Sequence, residues 1–170
     1  MPVDRPVDFV AHSHCVERTN EIAAAVADLA VAGDVLVLGG DLGAGKTAFT
    51  KAFAAALGVT ETVTSPTFTL AQRYDTGRLV VHHLDVYRLD GLDEVVDLAL
   101  PELFESGGVV VIEWGDTILP ALPPGYLLIL LELGDGPDDR TLHFTGAGVP
   151  WSARLHRLHD VLESHAPRPC

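Results

Sequence analysis

At 170 residues the chain has the length of one compact domain, and its 48% apolar content excludes a polymer too polar to bury a core. Its 24 acidic residues against 11 basic ones give a formal charge of -13, which excludes a surface built broadly for gripping nucleic-acid phosphates. The two cysteines, Cys15 and Cys170, show no metal or redox spacing, which points to a reducing compartment rather than a disulfide scaffold. Met1 to Asp8 contains no apolar signal core, and the apolar run Tyr126 to Leu131 is far too short to span a bilayer. The expectation is a single cytoplasmic domain, residues 1–170, with no membrane association and no strong nucleic-acid binding of its own.

In chain order, Val7 to Ala11 is expected to form a short strand. An amphipathic helix follows, with Thr19 as its N-cap, Glu21 in its first turn and Gly33 as its stop. Its apolar stripe is Ile22, Val26, Leu29 and Ala30. Asp34 to Leu38 reads as a buried parallel strand, because it is an unbroken valine and leucine run. After a glycine-rich turn, a helix is predicted from Lys46 to about Leu57, with Phe49 and Phe53 as core residues. Pro66 makes the stretch Thr62 to Thr69 a loop. Thr69 to Tyr74 and Leu79 to Leu84 flank a turn made of Asp75, Thr76, Gly77 and Arg78, which predicts an antiparallel hairpin. Short helices are expected at Leu92 to Leu98 and Pro101 to Glu105, then strands at Val109 to Ile112, Tyr126 to Leu133 and Thr141 to Phe144. A final helix carries Trp151, Leu155, Leu158 and Leu162 on one face. The order predicts an α/β, P-loop NTPase-like three-layer sandwich with a mixed, centrally parallel sheet.

Gly40 to Thr47 (GDLGAGKT) fits the phosphate-loop pattern G-x-x-x-x-G-K-[ST]. Glycines let the backbone turn tightly around an anion, and successive N–H groups form a nest for phosphate oxygens. The helix that follows adds the positive end of its dipole. Lys46 is the expected cation for the β and γ phosphates, and the Thr47 hydroxyl a magnesium ligand. The expected nucleotide contacts are Asp41, Leu42, Gly43, Ala44, Gly45, Lys46, Thr47 and Ala48, with ATP and Mg2+ as the bound species. A buried strand before the pattern and an amphipathic helix after it supply the context that a chance match lacks.

Magnesium also needs a carboxylate at a neighbouring strand end. Glu113 ends the apolar run Val109 to Ile112, and Asp85 ends the run Leu79 to Leu84, so both fall at the carboxyl edge of the sheet where ligands sit in open α/β folds. Lys46, Asp85 and Glu113 are therefore the expected catalytic residues, and Thr47, Asp85 and Glu113 the expected metal-linked ones. Trp114 reads either as a core residue at a strand end or as a neighbour of the adenine.

GDLGAGKT, SPTFTL (Ser65 to Leu70), HLDVYRL (His83 to Leu89) and IEW (Ile112 to Trp114) occur in this order, and together they resemble the TsaE (YjeE) family of bacterial P-loop ATPases. The similarity runs from about Thr19 to Trp114 and is only general beyond about Leu119. The resemblance implies a role in N6-threonylcarbamoyladenosine synthesis at position 37 of tRNAs reading codons that begin with A. It implies work with a TsaB–TsaD heterodimer, in which TsaD performs the transfer and this protein hydrolyses ATP to reset the assembly. It implies further that Thr47 and Glu113 ligate magnesium and that Asp85 acts on the γ-phosphate side. Residues Ser65 to Phe68 would form a switch-like loop, and Trp114 would lie beside the nucleotide. Where Cys15 stands, the family often has Ser or Thr.

Other signals are weaker. His82 and His83 are adjacent on a strand, so they point to opposite faces and cannot share an ion; His156 and His159 lack a third ligand. These histidines read as packed or solvated. Arg88 is the best internal candidate for an arginine finger, against an equally good reading as a surface ion pair. The competing functions are a small-molecule kinase and an ATP-dependent docking module without turnover. Against a kinase, the only arginines or lysines between Thr60 and Leu119 are Arg73, Arg78 and Arg88. The N-K-x-D signature of guanine binding is absent.

Overall fold

The computed structural model describes residues 8–66, 70–90, 92–165 and 170. Seven strands form one sheet: β1 (Phe9–Ser13), β2 (Val35–Gly39), β3 (Ala71–Tyr74), β4 (Val81–Asp85), β5 (Val109–Glu113), β6 (Tyr126–Leu133) and β7 (Arg140–Ala147). Their order across the sheet is β1-β7-β6-β2-β5-β4-β3. The inner strands β6, β2, β5 and β4 run parallel, and β3, β7 and β1 pair antiparallel at the flanks. Five helices are described: α1 (Val16–Leu29), α2 (Lys46–Ala56), α3 (Leu92–Val96), α4 (Leu100–Glu105) and α5 (Val149–Ser164), with a kinked 3-10 stretch over Gly115–Ala121.

Alternation along the strands divides the core into two. Leu36 and Leu38 of β2 join Val109 and Val111 of β5 beneath α1, α2 and α5, where Ile22, Phe49, Phe53 and Trp151 are sealed from solvent. Val35 and Val37 point the other way, with Val110 and Ile112, against Val95, Leu100 and Ile118. Strands buried on both faces carry no polar alternation, which explains why β2 and β5 read as continuous apolar runs. The expected three-layer α/β sandwich, with its mixed and centrally parallel sheet, is the observed architecture.

Register positions the site. In the parallel ladders Leu38 pairs with Glu113, and Glu113 pairs with Asp85. The carboxyl ends of β2, β5 and β4 therefore finish in one row, with the turn after Gly39 at its head.

Three local expectations fail. Helix α1 begins at Val16 with Cys15 at the N-cap and Glu17 as the first-turn acid, so Thr19 and Glu21 lie inside the helix. Thr19 is buried, and its hydroxyl hydrogen-bonds Ser13 Oγ (2.8 Å) and donates to the Cys15 carbonyl, so it cannot cap. The helix ends with Ala30 extended, and Gly33 instead supplies a positive φ of 92° in the turn beyond. Cys15 and Cys170 are joined in a disulfide, which corrects the reading of the pair as unlinked thiols. The bond holds residues 155 positions apart, a separation that sequence spacing does not reveal. Thr67, Phe68 and Thr69 fall outside the described residues, and with them the second half of the predicted switch loop, Ser65 to Phe68.

One polar pair fastens the outer helix to the sheet. Arg154 on α5 donates both Nη1 (2.6 Å) and Nη2 (2.7 Å) to the carboxylate of Asp34, and its Nη1 also reaches the Leu29 carbonyl at the end of α1 (2.9 Å). The guanidinium lies 3.9 Å from the Trp151 ring centroid, so one side chain links three elements. Removing it strands a buried carboxylate. Arg154→Ala is expected to lower unfolding free energy by about 3 kcal/mol, the usual cost of orphaning one member of a buried ion pair. Urea denaturation checks this, and nucleotide affinity is expected to stay unchanged.

Candidate active site

The glycine-rich turn leaves β2 at Gly39 and enters α2 at Lys46. Gly40 has φ of 128°, and a Cβ there would collide with the Leu131 carbonyl of β6. Only glycine lets the chain turn so close to the neighbouring strand. Gly45 has φ of 105° and accepts the first helical bond, from the Phe49 N–H (2.8 Å). The opening amides of α2 have no acceptor inside the helix, so they are available to an anion.

Lys46 is 5% exposed, and its ammonium donates to the Gly40 (2.6 Å) and Asp41 (2.9 Å) carbonyls, bridging the turn. It also lies 3.7 Å from the Trp114 ring centroid. Burial lowers its pKa from the ordinary lysine value, against the opposing charges of Glu113, Asp116, Asp85 and Asp41. Trp114 has a left-handed backbone (φ of 62°) and packs against Tyr87, their ring centroids 4.7 Å apart. Trp114 is half-buried against the second core, and its indole also lies against Lys46 on the wall of the cavity.

Glu113, at the end of β5, is 2% exposed. Its Oε2 accepts the Thr47 hydroxyl (2.8 Å), and its Oε1 faces His83 Nε2 (2.7 Å) and Thr50 Oγ1 (3.4 Å). Asp85, beside it on β4, accepts the Ser65 hydroxyl at Oδ2 (2.9 Å) and the Tyr87 N–H at Oδ1 (3.0 Å). Leu42, Gly43, Gly45, Lys46, Thr47, Ala48, Ser65, Asp85, Glu113 and Trp114 thus line a single cavity of about 320 Å³. Asp41 contributes its carbonyl to Lys46, and Ala44 is fully buried beneath the turn. Arg88 is exposed and does not line this cavity.

Thr47, Glu113 and Asp85 present oxygen atoms, the donor set that suits a hard divalent cation accompanied by phosphate oxygens. Among the described residues, no group of three or more His, Cys, Asp or Glu could hold an ion by itself. A metal here would need water or nucleotide oxygens to complete its shell. His82 and His83 point to opposite faces as expected, His82 toward Ser106 Oγ (2.8 Å).

Sequence reasoning passed over three contributors. Arg140, opening β7, donates from Nε to the Ala44 carbonyl (2.7 Å) and from Nη2 to the Gly43 carbonyl (3.4 Å), while Nη1 holds the Pro137 and Asp139 carbonyls. It sews the turn to the 134–139 connection, and no local pattern announces a contact so distant in sequence. Asp116 lies behind Gly39, its Oδ1 buried without a hydrogen-bond partner among the described residues; burial raises its carboxyl pKa above the ordinary value. His83 had a legible signal, since strand alternation places it on the same face as Asp85. Arg140→Met keeps the apolar stem and removes the donors. Calorimetry with ADP is expected to show about a tenfold weaker Kd, roughly 1.4 kcal/mol.

The chain matches the family model "Threonylcarbamoyl adenosine biosynthesis protein TsaE" over residues 13–141. It is 48% identical over 150 residues to the tRNA threonylcarbamoyladenosine biosynthesis protein TsaE of Bacillus subtilis, covering 87% of this chain and 93% of that one. The protein of that name from Streptomyces coelicolor is 40% identical over 139 residues, covering 78% of this chain and 93% of its own. Among solved structures, Bacillus subtilis YdiB superposes with a TM-score of 0.73 at 39% identity, over 94% of this chain and 97% of that one. The phosphate turn, the paired strand-end carboxylates and the tryptophan beside Lys46 therefore sit in a chain that belongs to the TsaE family.

Proposed function

We propose that this protein is a magnesium-dependent ATPase that supports threonylcarbamoyladenosine formation at position 37 of tRNAs reading ANN codons, working with a TsaB–TsaD assembly. The observation that carries the reading is the convergence of Lys46, Thr47, Asp85 and Glu113 on one cavity at the head of helix α2. The names of the relatives support the tRNA-modification role.

In this reading the turn amides and Lys46 hold the triphosphate, with the ammonium exchanging the Gly40 and Asp41 carbonyls for phosphate oxygens. Thr47 and Glu113 would hold magnesium, and Asp85 would stand on the γ-phosphate side. When bound there, the ion would supply Lewis-acid neutralisation of the phosphate charge. Asp85, fixed from both oxygens by Ser65 and the Tyr87 N–H, orients the attacking water.

Among the described residues lining the cavity, Lys46 is the cation, which leaves a kinase little to hold an acceptor with. The surplus of acid, -13 overall, suits docking on a basic partner better than binding tRNA directly. Among the described residues no helix is long and apolar enough to cross a membrane, and a role in tRNA modification supports a cytoplasmic site of action. There the Cys15–Cys170 bond would be exposed to cellular reductants.

Asp85→Asn is expected to reduce ATP turnover about 100-fold while ATP affinity changes less than threefold, in line with loss of a water-orienting carboxylate. Reconstitution of tRNA modification with TsaB, TsaD and the threonylcarbamoyl donor is expected to need this protein for multiple turnovers, and the Asn variant to stop after the first. Wild-type protein that binds ATP with no turnover, alone or with the partners, would favour a docking module instead.

A further inference from the structure

His83 is fully buried, yet the phosphate chemistry just described makes no use of it. Its Nε2 lies 2.7 Å from Glu113 Oε1. A carboxylate only accepts hydrogen bonds, so the hydrogen sits on Nε2 and the imidazole is the donor. In the neutral ring Nδ1 is then a bare acceptor, and it has no partner among the described residues. A buried polar atom left alone costs stability, and packing alone would be better served by an apolar ring.

Alternation explains how the contact arises. His83 precedes Asp85 by two residues on β4, so both side chains leave the same face of the sheet. Asp85 pairs in register with Glu113, and His83 pairs with Val111, one alternation behind. The imidazole therefore reaches Glu113 from the core side. Tyr74 from the edge strand limits the ring on another side, their centroids 6.4 Å apart.

The two oxygens of Glu113 have different surroundings. Oε1 is held by His83 and, at 3.4 Å, by Thr50. Oε2 has the hydroxyl of Thr47, itself a candidate metal ligand on the cavity wall. We propose that His83 is a positioning residue: by donating to Oε1 it locks the Glu113 carboxylate so that Oε2 is aimed at the cation site. A ligating group held in place by a second hydrogen bond is preorganised, and loss of such outer partners typically weakens metal affinity by about 10–100-fold. This inference rests on the magnesium reading of the site.

Its test separates metal from nucleotide. ADP affinity is measured by calorimetry in magnesium and again in EDTA, for the wild type, His83→Phe, which keeps a ring and removes the donor, and His83→Gln, which keeps an N–H at similar reach. The Phe variant is expected to lose about tenfold in affinity in magnesium and less than twofold in EDTA, with the Gln variant recovering most of the difference. Equal magnesium gains in wild type and the Phe variant would overturn the inference, as would equal losses in both buffers. If the Phe variant does not fold, His83→Asn replaces it: its shorter amide cannot reach Oε1, so an Asn variant matching Gln would also overturn it. A wild type with no magnesium gain would overturn the site reading itself, and the inference with it.

Discussion

A carboxylate taken out of water must find hydrogen-bond donors nearby, and Glu113 finds them on two elements, α2 and β4. Thr47 and Thr50 approach from the first turns of α2, and His83 from β4. The single carboxylate thus ties the helix that follows the phosphate turn to the strand that carries Asp85. Shifting β5 by one residue would turn Glu113 to the opposite face and carry Val110 and Ile112 out of their core. Hydrophobic packing and the polar site therefore demand the same register.

Lys46 is the second constraint. Its ammonium closes the turn on itself through the Gly40 and Asp41 carbonyls while lying over the Trp114 ring. Arg140 holds the opposite rim through the Ala44 and Gly43 carbonyls. Two cations on carbonyl oxygens brace the backbone of the turn from its carbonyl side. Contacts within the chain brace the turn, and bracing of that kind would lower the cost of ordering it around an anion.

The central fold was legible because its signals are local. An unbroken run such as Val35 to Leu38, a glycine turn and the spacing of Phe49 and Phe53 each report on neighbours a few residues away. Asp85 and Glu113 could be named as candidates because each ends an apolar strand. Their adjacency is a matter of strand order, which the sequence pattern left open and the parallel β4–β5 ladder supplies. Features that depend on distant pairing were missed. Arg140 meets Ala44 across 96 positions, and Cys15 meets Cys170 across 155. The misplaced cap at Thr19 has a related cause: the hydroxyl is satisfied by Ser13 at the end of β1, a tertiary partner that overrides local capping preference.

The central claim is that the main-chain amides opening α2 receive the phosphates while Lys46 leaves its carbonyl partners. Amide resonances of 15N-labelled protein, followed as magnesium and ADP are added, address it residue by residue. Large, saturable shifts are expected at Gly43, Gly45, Lys46 and Thr47, accompanied by a shift of the Trp114 indole N–H as the ammonium moves off its ring. Saturating nucleotide that leaves those resonances in place, or moves only residues remote from the turn, would contradict it.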